Sequence, residues 1–188
     1  MTACRNTCRL LALAVVGVFG LLTLVGSGGG GDGGGGGPPA AAATVFPRFA
    51  FVANEGDDTV SIYRVDAATG QLHHRGYVAA GDAPQSVTVD PSGRFAYVAN
   101  AFSDNVTTFS IHQTTGALTE VGTEVAAGDG PESVTVDPSG RFAYVANNLS
   151  DNVTRFSIDA TTGALTEVGT EVLAGDGPSS IVILGVLQ

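Results

Sequence analysis

Lysine is missing from this 188-residue chain, so all eight of its cations are arginines, and they face eighteen carboxylates for a formal charge of −10. Nucleic acid and anionic membrane surfaces are held by basic patches, and that balance argues against both as partners. Cysteine is nearly absent. Its two copies, Cys4 and Cys8, stand in an opening segment that also carries Arg5 and Arg9 and no acid. Long apolar runs are scarce as well. Leu10 to Val25 is apolar apart from Thr23, but at 16 residues it is shorter than the ~20 that a membrane-spanning helix requires. A charged n-region and a short apolar h-region that run into glycine read as an export signal, residues 1–27, with no stable transmembrane span after cleavage.

The signal ends in "LTLVGSGGGGD". Leu24, Val25 and Gly26 resemble a bacterial lipoprotein cleavage box, except that Ser27 stands where the lipidated cysteine belongs. Without a thiol no thioether anchor forms, whereas Val25 and Ser27 suit ordinary cleavage after Ser27. Cleavage removes both cysteines and two arginines, which leaves six arginines against eighteen acids, a formal −12, and no disulfide or cysteine metal site. Such a chain suits an oxidising compartment, so the expected location is periplasmic, outer-envelope or extracellular. Residues 28–45 follow as a Gly/Pro/Ala-rich tether. No strand precedes those glycines and no Gly-Lys-Ser/Thr follows them, so they are not a phosphate loop.

What the rest of the chain has is repetition. "SVTVDPSGRFAYVAN" occurs unchanged at Ser86 to Asn100 and Ser133 to Asn147, and a weaker copy begins with "FAFVAN" at Phe49. Phe49, Phe95 and Phe142 are 46 and 47 residues apart, close to the ~40–45 residues of a four-stranded propeller blade. Within the second unit the strands read as Ser86 to Val89, Arg94 to Asn100, Asn105 to Ile111 and Ala117 to Val125, separated by Asp-Pro-Ser-Gly, Ser-Asp and Thr-Gly turns. Thr107, Phe109 and Ile111 alternate with Val106 and Thr108, so both faces are suited to packing, while Glu120 and Glu124 make the fourth strand the exposed one. The expected fold is therefore all-β, a β-propeller-type repeat of four-stranded antiparallel blades over 46–188, about three blades in all.

The YVAN strands ending at Asn100 and Asn147, the DPSGR and TTGAL turns and the GDGP linkers resemble the YVTN-type repeats of the seven-bladed propeller lactonase family, whose members are similar to 6-phosphogluconolactonase. The resemblance spans Phe46 to Gln188 and implies a ring of blades, of which this chain supplies about three. The first unit, with strands at Phe49 to Ala53, Val60 to Val65 and Leu72 to Ala79, lacks an innermost strand, and Ser180 to Leu184 reads as an innermost strand without its blade. These halves are complementary. Self-association through the open ends, as a head-to-tail dimer of six blades, is the expected partnership.

Hairpins that alternate ends place Asp57, Asp58, Asp104 and Asp151 on the same face as Asp82, Asp129 and Asp176 of the blade-to-blade linkers, with Glu132 just inside. One reading is a site for a divalent cation or a basic ligand at the channel mouth; the other is that aspartate makes turns, which the lack of an Asp-x-Asp-x-Asp-Gly loop favours. No cofactor is implied. His73, His74 and His112 have no acid partner placed by the repeat and read as surface residues, and Arg94 and Arg141 follow DPSG turns on the face opposite the acids. Asn105 and Asn152 begin NVT triplets but are assigned no modification. The expected function is an exported binding or scaffolding module, with lactonase-like hydrolysis of sugar lactones as the alternative.

Overall fold

The computed structural model describes residues 48–185; the expected signal segment 1–27 and tether 28–45 lie outside the described residues. Every regular element among the described residues is a strand. Blade 1 is the antiparallel meander β1 (Arg48–Asn54), β2 (Thr59–Val65) and β3 (Leu72–Ala79). Blade 2 contains β4 (Pro84–Val89), β5 (Phe95–Asn100), β6 (Asn105–Ile111), β7 (Leu118–Glu120) and β8 (Val125–Ala126). Blade 3 repeats it with β9 (Pro131–Val136), β10 (Phe142–Asn147), β11 (Asn152–Ile158), β12 (Leu165–Glu167) and β13 (Val172–Leu173). These are the expected blades, with boundaries that move by a residue or two.

The fourth strand departs from expectation. Ala117 to Val125 is not continuous, because β7 and β8 both pair with β6 and are separated by Val121 to Glu124. Blade 1 shows why. There the register shift opposite Ile62 and Tyr63 is absorbed at Arg75 and Gly76, and β3 runs on unbroken. Blades 2 and 3 carry one residue more at this point, Thr123 and Thr170, after the left-handed Gly122 (φ 71) and Gly169 (φ 78). A one-residue bulge fits inside a ladder and a longer insertion interrupts it. The same residue accounts for the change of period from 46 to 47.

A second departure concerns Ser180 to Leu184, which forms no ladder among the described residues. Its position is nevertheless that of an innermost strand. The Ile181 N–H donates to Ser133 Oγ (3.3 Å) as the Val134 N–H donates to Ser86 Oγ (3.2 Å), one blade later. A strand needs a partner to satisfy its backbone, and no second strand stands beside this one.

Packing follows from faces. On β5 the side chains of Ala96 and Val98 project one way and those of Phe95, Tyr97 and Ala99 the other, and the whole strand is buried. Ala96, Val98, Phe109, Ile111 and Leu118 pack on Phe51, Val60 and Ile62 of blade 1. Phe95, Tyr97, Ala99 and Val106 pack on Val134, Ala143, Val145, Phe156 and Leu165 of blade 3. Full burial of such side chains contributes about 1.5–3 kcal/mol each, so most of the stability lies between blades. Glycine makes the closest approach: a Cβ on Gly163 (φ +77) would come within 2.4 Å of the Phe95 ring, and one on Gly116 (φ +74) within 2.3 Å of the Phe49 ring.

Carboxylates join the blades at one end. Asp58, Asp104 and Asp151 hold left-handed backbone (φ 53, 51 and 52) in the loops between second and third strands. From there Asp58 Oδ1 accepts the Ala83 N–H, Asp104 Oδ1 the Gly130 N–H and Asp151 Oδ1 the Gly177 N–H, each at 2.8 Å. Their own carbonyls accept the N–H of Ala80, Ala127 and Ala174. Each aspartate thus fixes the linker that starts the next blade. Replacing Asp104 with Ala leaves the buried Gly130 N–H without its charged acceptor, and the expected loss is about 1–3 kcal/mol in urea denaturation. A D104A midpoint equal to the parent's would show that the staple contributes nothing.

Candidate functional site

The acidic face forms as expected, but most of its carboxylates are used by the fold. Asp58, Asp104 and Asp151 are the staples just described. Asp82 and Asp129 are anchored through their backbones: each N–H donates to a serine hydroxyl, Ser103 (2.6 Å) or Ser150 (3.0 Å), and each carbonyl accepts from Phe102 or Leu149. The side chains of Asp57, Asp82, Asp129 and Asp176 are exposed, and Glu132 is half-buried. Among the described residues no three carboxylates or histidines gather closely enough to hold a metal ion. The turn reading accounts for the staples directly.

The acids of the opposite end cap turns as well. Asp137 Oδ1 accepts the N–H of Arg141 and of Phe142 (both 2.9 Å), and Oδ2 accepts from Ser139. Burial pushes this carboxyl up, but those hydrogen bonds outweigh burial and hold it below its ordinary value of 3.8. Asp66 and Asp159 are lowered chiefly by the N–H groups of Thr69 and Thr162. In blade 2 the equivalent cap is His112, whose Nδ1 lies 3.0 Å from the Thr115 hydroxyl. His112 is therefore a turn residue. His74 sits in an aromatic stack with Tyr63 and Tyr77, at centroid distances of 5.4 and 4.4 Å.

A depressed carboxyl contributes stability above its unfolded pKa of ~3.9, and that contribution is lost as pH falls through the lower folded value. Urea midpoints should hold level from neutral pH to about pH 5 and then fall steeply below about pH 4. D137N starts lower and loses less over the acid limb. An acid limb of unchanged slope in D137N would remove Asp137 from the account.

Polar side chains of the third strand form a network that the residue pattern does not reveal. Asn100 Nδ2 donates to Asn105 Oδ1 (2.7 Å) and Thr107 Oγ1 (2.8 Å), and Asn105 Nδ2 donates to Glu124 (2.7 Å). Asn147, Asn152, Thr154 and Glu171 repeat it in blade 3. Glu124, expected simply on an exposed strand, ties the outermost segment back to the third strand.

The basic end of the molecule was not anticipated. A cavity of about 560 Å³ opens in the wedge between blades 1 and 2, lined by Arg48, Arg64 and Arg75 from β1, β2 and β3, with Phe49, Asp66 and, across the wedge, Thr114 and Thr115. Half of the six arginines after residue 27 meet here. The equivalent wedge between blades 2 and 3 is closed. There Arg94 Nη2 donates across to the Ala160 carbonyl of the next blade, whereas Arg48 Nη2 turns back to the Asp66 carbonyl of its own blade (3.3 Å). Arg64 and Arg75 have no counterparts: the matching residues are Ser110 and Val121 in blade 2, Ser157 and Val168 in blade 3. Superposing the units on their phenylalanines and asking which cations occur once would have found them. Chemically, convergent guanidinium groups form an oxyanion site.

Three antiparallel sheets stacked face to face, with inner strands β4 and β9 adjacent, define an open arc of a β-propeller. The family described as "Lactonase, 7-bladed beta-propeller" matches residues 36–130 and 121–183, and the chain belongs to that family. Curated proteins give no match. Among solved structures, a candidate 6-phosphogluconolactonase from Bacteroides fragilis is 28% identical with a TM-score of 0.65, over 71% of this chain and 40% of that one. Hydrazine synthase from Kuenenia stuttgartiensis is also 28% identical, with a TM-score of 0.55, over 70% and 34%. The periplasmic gluconolactonase of Pseudomonas aeruginosa, at 24% identity and a TM-score of 0.62 over 71% and 39%, shares the fold. The chain spans about two-fifths or less of the length of these three proteins.

Proposed function

We propose that the protein is a lactonase-like hydrolase of sugar lactones that works at the cell envelope as part of a completed propeller. The observation that carries this reading is the family match across 36–183, joined to the structural likeness to a candidate 6-phosphogluconolactonase. It favours hydrolysis over the binding or scaffolding role that the residue pattern suggested. In the reaction, water adds to the lactone carbonyl, the ring C–O bond breaks, and the free hydroxy acid leaves with a released proton at neutral pH. That step needs a base for the water and a donor for the developing oxyanion. Export is supported by the charged n-region and the short apolar run before Ser27.

Two arcs joined head to tail about a two-fold axis would cover both open ends. The exposed apolar residues of the last segment, Val182 and Leu184 (85% and 87% exposed), then find a β1 edge that has no inner neighbour among the described residues. Light scattering coupled to size exclusion should give twice the chain mass, and truncation after Pro178 should dissociate or aggregate the assembly. A monomer unaffected by the truncation would end the dimer proposal.

Activity is tested with the purified chain from Gly28 onward, by following acid release from glucono-δ-lactone and its 6-phosphate. Turnover above the buffer rate is expected of the assembled species. An assembled, folded protein with no turnover on either lactone would return the binding-module reading to first place.

A further inference from the structure

We propose that the wedge between blades 1 and 2 is a binding site for a phosphate monoester on a small, sugar-sized molecule. The proposal stands whether or not the protein hydrolyses lactones. It rests on three features of the wedge: where its cations come from, how its charge balances, and how it differs from the wedge one blade later.

Arg48, Arg64 and Arg75 project from three adjacent strands of one sheet into the same cavity of about 560 Å³. Among the described residues no hydrogen bond occupies the guanidinium groups of Arg64 and Arg75, and Arg48 spends one N–H on the Asp66 carbonyl. Gathering three cations with free donors in a chain of net −10 serves no packing purpose. Like charges repel, and a fold stabilised only by packing would place serine or valine there, as blades 2 and 3 do at Ser110, Ser157, Val121 and Val168.

Asp66 is the carboxylate that lines the cavity, and its Oδ1 is taken up within its own turn by the N–H groups of Ala68 and Thr69 and the Thr69 hydroxyl. Three arginines against one aspartate leave two positive charges for a ligand. A phosphate monoester at neutral pH carries nearly two negative charges and three terminal oxygens, which suits three guanidinium forks better than the two oxygens of a carboxylate. The hydroxyls of Thr114 and Thr115 face the same space from blade 2, where they can meet the polar remainder of the ligand. The volume lies within the ~300–1,000 Å³ of small-molecule sites.

The wedge one blade later shows what its absence looks like. Arg94 spans the gap to the Ala160 carbonyl and the turn closes over Phe95. In the first wedge the same arginine is turned aside and two further cations stand behind it. One blade has been modified to hold something that the others do not.

The test uses isothermal titration and ³¹P NMR on the full chain with a hexose 6-phosphate, inorganic phosphate, gluconate and glucose. Saturable binding of the phosphate ester at millimolar concentration or tighter is expected, weakening at least several-fold when salt rises from about 50 to 300 mM. R64S/R75V installs the residues that blades 2 and 3 already tolerate, so it should keep its far-UV circular dichroism and lose roughly tenfold or more in affinity. R64S and R75V should each lose part of it. R155T, which removes a cation from the open face of blade 3 in favour of the blade 2 residue, should bind as the parent does. No saturation with the phosphate ester, equal losses in R155T and R64S/R75V, or gluconate binding as tightly as the phosphate ester would each overturn the proposal.

Discussion

Each blade is held to the next by a carboxylate that reaches out of a left-handed loop to the first N–H of the following linker. Three times, from Asp58, Asp104 and Asp151, the same bond forms at 2.8 Å. The left-handed backbone aims the side chain forward, and the positive φ of Ala83, Gly130 and Gly177 turns the N–H back to meet it. Ala83 is the residue for which that conformation costs something, about 1–2 kcal/mol, and it is held there by the bond and by burial. With the linker fixed, the first strand of each new blade starts at a set height on its neighbour. The rest of the packing, Phe95 over Gly163 and Phe49 over Gly116, depends on that height.

Because stability lies between blades, identical residues do not have identical lives. Tyr97 and Tyr144 occupy the same place in the fifteen-residue duplicate. Tyr97 is wholly buried against blade 3, donates to the Gly163 carbonyl at 3.0 Å, and has its phenol pushed far above the usual range by burial, then by Asp90. Tyr144 is only partly covered, since no fourth blade follows it among the described residues. Phe95 and Phe142 differ in the same way. An open arc therefore has an interior and two raw faces, and its last blade is the least supported.

The functional geometry lies where the repeat fails. The acids, which recur in every unit, prove to be staples and turn caps, and their recurrence is itself a consequence of that role, since each blade must be joined and each turn closed. The arginine wedge is confined to one blade. Arg64 and Arg75 are eleven residues apart on different strands, among residues that alternate in the ordinary way, so periodicity gave no sign of them. Their convergence requires β2 and β3 to pair with Tyr63 opposite His74 and the bulge to fall at Arg75.

By itself the sequence determined the strands, the turns, the blade and the family, because those depend on local alternation, on Asp-Pro-Ser-Gly and Thr-Gly chemistry, and on a period that needs no partner to be counted. Tertiary structure decided the remainder. Thr123 and Thr170 break a strand that alternation would have continued, since a bulge tolerates one extra residue and an insertion of two opens a loop. Ser180 to Leu184 has the residues of a strand and no ladder, because a strand is a property of two segments and its second is not beside it. The arginines become a site only when three strands and a neighbouring turn bring them around one cavity, for a charge acquires its meaning from what stands within a few ångströms of it, and sequence order does not carry that distance.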